Sequence, residues 1–424
     1  MFEGFQLILE FAFYYPLFMA YLWMVGGVYY YLHWERSSAG PQHPPALDRY
    51  PLVSLVIPCH NEADHLHETI HYALGLDYPD YEVIAVDDGS TDATGAILDA
   101  LAREHPRLRV VHLRRNQGKA MGLRTAALVA RSEFLVCIDG DAVLDRHALT
   151  WMMSHFLAGP RVGAVTGNPR IRNRSTLLGR IQVGEFSSIV GLIKRAQRVY
   201  GRVFTVSGVV AAFRRSALHD VGYWSPDMVT EDIDISWKLQ LAHWDVRFEP
   251  NALCWILMPE TLRGLWKQRL RWAQGGVEVM LKFLPRLGRW RLRRMWPVCI
   301  ELVLSIGWAY VMAGIVALWL VGQVVTLPPD LVVRSIIPGW NGVLLGLTCL
   351  AQFALSLAID SRYERRLARM LFWVIWYPMV YWVLGAAASV VGVVKAITKP
   401  RGTRAVWTSP DRGLRATGGR GAGR

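Results

Sequence analysis

Three short stretches of this chain carry residues whose types and spacing suit group transfer from a phosphorylated donor: Asp139-Gly140-Asp141, Thr230-Glu231-Asp232 and Gln268-Arg269-Leu270-Arg271-Trp272. Two carboxylates flanking a glycine can hold a hard divalent cation, Mg²⁺ or Mn²⁺, while the glycine lets backbone come close. Such a cation neutralises a departing diphosphate. The same tripeptide is also ordinary turn chemistry, and its neighbours decide between the two. Asp232 has the character of a general base, at the head of a helix-like run from Ile233 to Leu241. Thr230 and the acids after it equally suit a helix N-terminus. Gln268, Arg271 and Trp272 share one helix face through i, i+3 and i+4 spacing. That face offers a clamp for diphosphate beside a flat ring for stacking, and it also reads as an interfacial helix with snorkelling arginines.

Further upstream, Asp87-Asp88-Gly89-Ser90-Thr91-Asp92 ends a strand-like run and opens a helix-like one. Asp88 at such a strand end can accept from a base N–H or a ribose hydroxyl. Lys119, closing Asn116-Gln117-Gly118-Lys119, stands at a helix start where its charge and free N–H groups can face phosphate. Positioning these residues requires a sheet. Leu52 to Ile57, Glu82 to Val86, Leu108 to Leu113 and Phe134 to Ile138 are apolar or β-branched runs, separated by helix-like stretches from Asp92 to Glu104 and from Lys119 to Arg131. Such βαβα order predicts an α/β domain with a parallel-rich sheet. Ligands gather beyond the carboxyl ends of its strands, where His60, Glu62, Asp87, Asp88, Asp139 and Asp141 fall.

The 424 residues are 52% hydrophobic and include 18 Trp, too apolar for a wholly soluble chain. Leu7 to Leu32, Trp296 to Val325, Trp340 to Ile359 and Met370 to Val394 are each long enough to cross a hydrocarbon core, so four membrane segments are expected. The first has neither a basic leader nor a small-residue cleavage site and is expected to stay as an anchor. Arginines beside these segments predict a cytosolic location for residues 33 to 294. The expected organisation is an anchor over 1–32, a linker over 33–51, a catalytic α/β domain over 52–258, amphipathic interfacial helices over 259–294, about three membrane segments over 295–394 and a basic tail over 395–424. Three crossings after the domain would place that tail outside, against the charge rule, unless the segment containing Pro378 turns back. The net charge of +13 sits largely beside the membrane segments and in the tail, which points to anionic lipid rather than nucleic acid. The five cysteines form no C-x-x-C and suggest neither zinc nor disulfides.

Taken in order, these motifs resemble the processive family 2 glycosyltransferases, which include cellulose, chitin and hyaluronan synthases. The resemblance is closer to the bacterial poly-β-1,6-N-acetyl-D-glucosamine synthases, through Val162 to Arg172, Ile181 to Glu185, Phe204 to Gly208, Trp255 to Thr261 and Trp407 to Gly413. It covers nearly the whole chain, with one N-terminal anchor where some relatives have two. It implies a GT-A catalytic domain inserted between transmembrane helices of the bacterial inner membrane. It implies an inverting, processive transferase that builds β-1,6-linked poly-N-acetylglucosamine from UDP-GlcNAc for biofilm matrix and helps export it. Pro58, His60, Glu62, Asp88, Lys119 and Asp139 would bind the donor, Asp139 and Asp141 the metal. Asp232 would be the base, Gln268 and Arg271 would stabilise the diphosphate, and Ser207, Gly208 and Trp272 would line the acceptor. Gram-negative relatives work with a small two-helix membrane subunit stabilised by cyclic di-GMP, so both are expected partners here. A chitin- or hyaluronan-type polymerase, or a lipid-linked transferase, would share the same catalytic motifs. A nucleotide-sensing scaffold without chemistry is the remote reading, since Asp232 and Arg271 are both present.

Overall fold

A computed structural model describes residues 2–333, 335, 339–400 and 402–405. The expected strands are present as β1 (Val53–Cys59), β2 (Tyr81–Asp88), β3 (Leu108–Leu113) and β4 (Phe134–Ile138), followed by β5 (Val143–Leu144), β6 (Val162–Ile171), β7 (Val210–Arg214) and β8 (Asp245–Ile256). They form one sheet in the order β3-β2-β1-β4-β7-β6-β8-β5. The pairs β1·β2, β2·β3, β1·β4 and β6·β8 are parallel, whereas β7 runs antiparallel to both β4 and β6. Every residue of β1, β2 and β4 is buried, as expected of strands covered by helices on both faces.

Helix α1 (Phe2–Tyr30) precedes the sheet, and α2 (Leu66–Leu74), α3 (Thr94–Glu104), α4 (Lys119–Val129) and α5 (Ala148–Ala158) connect its first half. Between β6 and β7 lie α6 (Leu177–Phe186) and α7 (Lys194–Tyr200). Between β7 and β8 lie α8 (Arg215–Asp220) and α9 (Glu231–Leu241). The amphipathic stretch is a single helix, α10 (Leu262–Leu287), and leads to α11 (Trp296–Gly322) and α12 (Trp340–Asp360).

Among the described residues, three helical segments are long and apolar enough to cross a membrane: Gln6–Glu35, Trp290–Gly322 and Trp340–Asp360. The expected fourth, Met370 to Val394, differs. It is divided into α13 (Leu371–Val374), a π-helical turn (Tyr377–Tyr381) containing Pro378, and α14 (Trp382–Thr398), which has 17 residues. Proline removes a ladder N–H, which hydropathy alone does not register. Helix α14 lies against α10 so closely that a Cβ on Gly392 would come within 2.8 Å of Ala273 Cβ. Beyond it, Lys399 Nζ donates to Asp227 O at 2.6 Å and meets Glu278 Oε2 at 2.9 Å. The start of the basic tail thus rests on the catalytic domain, while Trp407 to Gly413 lies outside the described residues.

A buried ion network ties the domain ends of the long apolar helices together. Arg195 of α7 binds Glu35 at 2.6 Å and Asp360 at 2.9 Å, and Asp360 also receives Arg170 of β6 at 2.7 Å. Because none of these charges is solvated, each depends on its partners, and removing one would leave the others uncompensated.

Candidate active site

The carboxyl ends of β1, β2 and β4 open on one cleft, as expected for a sheet of this kind. Pro58 lies in β1. After it, the His60 ring bridges two segments, with Nδ1 at 3.0 Å from Asp88 O and Nε2 at 2.9 Å from the Asn116 side-chain amide. Asp88 is fully buried, and its two oxygens accept from the Gln117 N–H at 2.8 Å and the Gly118 N–H at 2.7 Å. Burial raises its pKa, against the opposing effect of these amides. Asp88 therefore shapes the loop that delivers Lys119, with Gly118 at φ 91° completing the turn. The Glu62 N–H donates to Thr94 Oγ1 at 2.8 Å, and its side chain passes so near Gly140 that a Cβ there would stand 3.0 Å from Glu62 Cγ.

Lys119 joins the end of β4, the start of α9 and the turn at Gly208. Its Nζ lies 2.6 Å from Asp139 Oδ1 and 3.2 Å from Glu231 Oε1, and it donates to Gly208 O at 2.9 Å. Burial alone would lower its pKa, but the carboxylates of Asp139 and Glu231 outweigh burial and raise it. Asp232 follows Glu231 at the start of α9 and packs against Gly208, where a Cβ would fall 2.9 Å from Asp232 Oδ2. Burial and the Glu231 charge push the Asp232 carboxyl up to about 6, while Lys119 and Arg271 pull the other way. A carboxylate near that value is a competent proton acceptor at neutral pH. Thr230 occupies the N-cap position of α9 without a side-chain capping bond. Its side chain faces α10 instead, where a Cβ on Gly275 would overlap it.

Helix α10 brings Gln268, Arg271 and Trp272 beside this cluster. Gln268 Oε1 is buried without a hydrogen-bond partner, an acceptor available to a bound hydroxyl. Arg271 is exposed, and its charge lowers the pKa of both Glu231 and Asp232. Trp272 is half-buried, with the Arg269 guanidinium 4.2 Å from its ring centroid. Arg269 is in turn held by Glu185 of α6 at 2.5 Å, and Glu185 accepts from Tyr381 Oη at 2.9 Å. The Trp272 ring is therefore braced by a buried ion pair.

Sequence reasoning gave no role to Arg269, Glu185 or Lys194. Glu185 and Lys194 each border an apolar run, whereas Arg269 stands among the charged residues of the Gln268 to Trp272 motif and carries no separate local signal. Lys194 Nζ lies 3.0 Å from Ser207 Oγ and 3.2 Å from Thr166 Oγ1, fixing the turn at Ser207 and Gly208. Burial pushes this amine down to about 7, with Asp232 opposing.

The residues present fit a divalent cation only in partnership with a substrate. Among the described residues no group of three or more His, Cys, Asp or Glu is arranged to hold a metal. Asp139 and Asp141 supply hard oxygens, and Lys119 already places a positive charge on Asp139. Mg²⁺ is commonly bound this way, by one or two carboxylates plus substrate phosphates.

Known proteins share the family pattern and the fold of this chain. The pattern of the glycosyltransferase-like family 2 matches residues 51–275. A poly-β-1,6-N-acetyl-D-glucosamine synthase of Staphylococcus epidermidis is 39% identical over 411 residues, covering 96% of this chain and 98% of the relative. One from Staphylococcus aureus is 40% identical over 405 residues, covering 95% and 98%. Among solved structures, the mannosyltransferase PcManGT of Pyrobaculum calidifontis, in complex with GDP-Man and Mn²⁺, superposes with a TM-score of 0.65 at 22% identity, covering 94% of this chain and 99% of its own. That likeness shows the fold, a GT-A domain flanked by apolar helices. With the family pattern spanning the sheet, the cleft and the first half of α10, and with relatives alike from end to end, the chain belongs to glycosyltransferase family 2.

Proposed function

We propose that this protein polymerises N-acetylglucosamine from UDP-GlcNAc into β-1,6-linked poly-N-acetylglucosamine at the bacterial inner membrane, with the catalytic domain cytosolic. The observation that carries this reading is the Lys119 junction, which gathers Asp139, Glu231 and Gly208 around one ammonium. Donor, base and acceptor turn thereby share one cleft. The names of the relatives supply the sugar and the linkage, which the geometry by itself leaves open.

In the proposed reaction, the acceptor's 6-hydroxyl oxygen attacks C1 of the donor sugar and forms the new C–O bond. The bond from C1 to the phosphate oxygen breaks, UDP leaves with its electron pair, and the hydroxyl proton passes to Asp232. Attack opposite the leaving group inverts an α donor to a β product. Pro58, His60, Glu62 and Asp88 shape the nucleotide side, and Asp139 and Lys119 face the phosphates. Asp139 and Asp141 would hold Mg²⁺ or Mn²⁺, which when bound supplies neutralising charge to the diphosphate. Arg271 and Gln268 stabilise the departing group. Trp272 stacks the terminal acceptor ring, and Ser207 and Gly208 line its path. Lys119 already satisfies Asp139 and Glu231 before substrate arrives, so little reorganisation is needed at the moment of reaction.

Helices α1, α11 and α12 cross the membrane in this reading, and the segment from Leu371 to Thr398 is re-entrant. That arrangement keeps the tail on the cytosolic side and relieves the conflict with the charge rule. Export through the helices that flank the cleft keeps the polar product out of hydrocarbon. A small two-helix subunit and cyclic di-GMP are further proposed partners.

The test is incorporation of labelled UDP-GlcNAc by membranes containing this protein and Mg²⁺, beside Asp232→Asn. Polymer cut by a β-1,6-specific glucosaminidase but not by chitinase, and absent from the variant, supports the proposal. Polymer cut by chitinase would overturn the linkage. Continued silence after addition of the small subunit and cyclic di-GMP would overturn the donor.

A further inference from the structure

Away from the cleft, five arginines converge on a cavity of about 490 Å³: Arg161, Arg202, Arg291, Arg293 and Arg294, with Asp245 as the carboxylate among its lining residues. They come from three separate parts of the chain. Arg161 precedes β6, Arg202 follows α7, and the other three lie in the 3-10 turn Trp290–Met295 that leads into α11. A Cβ on Gly201 would stand 3.3 Å from Arg294 O, so this turn rests on the loop carrying Arg202.

Asp245 does not balance the cluster. Its Oδ1 is 2.9 Å from Arg198 and 4.0 Å from Arg202, and its Oδ2 is 2.9 Å from Arg247 Nε. One carboxylate is thus shared by three guanidinium groups, two of which, Arg198 and Arg247, are additional to the five arginines lining the cavity. Arg202 is only 8% exposed, yet its Nε has no hydrogen-bond partner. Burial lowers its pKa, Asp245 opposes this, and the charges of Arg294, Arg198 and Arg161 lower it further. Like charges gathered around a buried, unsatisfied donor cost free energy that a bound anion recovers.

The cavity is distinct from the transfer cleft. Strands β6 and β8 run parallel to each other, and β6 shares the direction of β4 because β7 is antiparallel to both. Arg161 and Asp245 stand at the amino ends of β6 and β8, whereas Asp139 follows the carboxyl end of β4, at the opposite edge of the sheet.

We infer that this cavity is a second anion site, built for a phosphate group. Guanidinium forks arriving from several directions match the oxygens of a phosphate ester, and their fixed planes favour it over a compact monovalent anion. Two sources can supply that chemistry. Trp290 is 68% exposed and pairs with Trp296, ring centroids 5.5 Å apart, at the start of a membrane-length helix. Such aromatics mark headgroup depth, where a phospholipid would present its phosphate, and a small soluble phosphate ester would meet the same donors.

The test uses the full-length protein in mild detergent beside the double variant R291Q/R294Q. Both substituted positions are exposed, so the fold should survive, and thermal unfolding without ligand checks that it has. Binding is titrated with phosphatidylglycerol in mixed micelles and, separately, with inorganic pyrophosphate, the cleft being intact in both proteins. The wild type should bind on the order of tenfold more tightly than the variant at low salt, as expected when charge-assisted hydrogen bonds are lost, and the difference should shrink at high salt. A difference seen only with phosphatidylglycerol assigns the site to lipid, and one seen only with pyrophosphate assigns it to a soluble ester. Equal affinities of the two proteins for both probes at low salt would overturn the inference.

Discussion

Lys119 Nζ is held 2.6 Å from Asp139 Oδ1, and through this contact the first helix turn after β3 is locked to the end of β4. The same ammonium reaches Glu231, so three sequence segments depend on one side chain. Lys119→Met should leave both carboxylates without their cation. Loss of about 1–3 kcal/mol of stability is expected, below the cost of a fully buried pair because the Asp139 side chain is 24% exposed. Thermal unfolding measures that loss, and transfer activity should fall with it even at saturating Mg²⁺.

The raised pKa of Asp232 has two separable consequences. In its proposed role as base it must be ionised, so the rate should fall as pH drops through about 6. For stability the sign is opposite. A carboxyl whose folded pKa lies above its unfolded value holds its proton more tightly in the folded state, so its ionisation costs stability as pH rises from the ordinary carboxylate range to about 6. Asp232→Asn should therefore lose roughly 10²-fold or more in rate while unfolding at an equal or higher temperature than the parent at pH 7. A variant that loses both activity and stability would contradict this account.

The brace beneath Trp272 is open to a double-mutant cycle. Arg269→Met alone strands Glu185 in a buried site and should cost about 3–5 kcal/mol. Glu185→Met added to it should return much of that loss, because the pair as a whole carries its own desolvation cost. Acceptor KM should rise more than kcat falls in both variants if the pair acts by supporting the ring.

Gly275 sets the distance between α10 and the start of α9. Gly275→Ala would place a Cβ 2.1 Å from Thr230 Oγ1, forcing the helices apart. A displacement near 1 Å can cost about 10²-fold in rate, which activity assays on membranes with matched protein levels would record. Adding Thr230→Ala removes the nearest atoms and should restore part of the activity.

Lys194 offers a pH signature. Burial holds its amine down at about 7, against an ordinary 10.5, so between these values the unfolded chain binds a proton that the folded chain does not. Stability should therefore rise with pH across that window. Lys194→Met, similar in volume and uncharged, should flatten the rise, as a comparison of unfolding temperatures from pH 7 to pH 10 would show.

Much of this site was legible before any coordinates. The strands β1, β2 and β4 are rich in apolar and β-branched residues, and the parallel-sheet rule brings their carboxyl ends together, which is why His60, Asp88 and Asp139 are expected in one cleft. The second half of the sheet was hidden for a physical reason. Strand β8 carries Arg247, Glu249 and Asn251, polar residues that blur its pattern, and Glu249 is satisfied by His155 at 2.8 Å from a distant helix. Glu185 and Arg269 lie 84 positions apart, beyond any periodicity argument. Thr230 looked like a cap and proved instead to be a packing surface for α10.

The close approach of Gly275 to Thr230 also governs where this chain can change length. Gln268, Arg271 and Trp272 precede Gly275 on the same helix, and each residue turns that helix by about 100°. Deleting Ala273 or Gln274 would keep every side chain of the motif yet turn Gln268, Arg271 and Trp272 away from Asp232. At Gly288, by contrast, a Cβ meets nothing within 4 Å, so that position carries no such constraint. Insertions and deletions among descendants of this sequence should therefore be missing from the first half of α10.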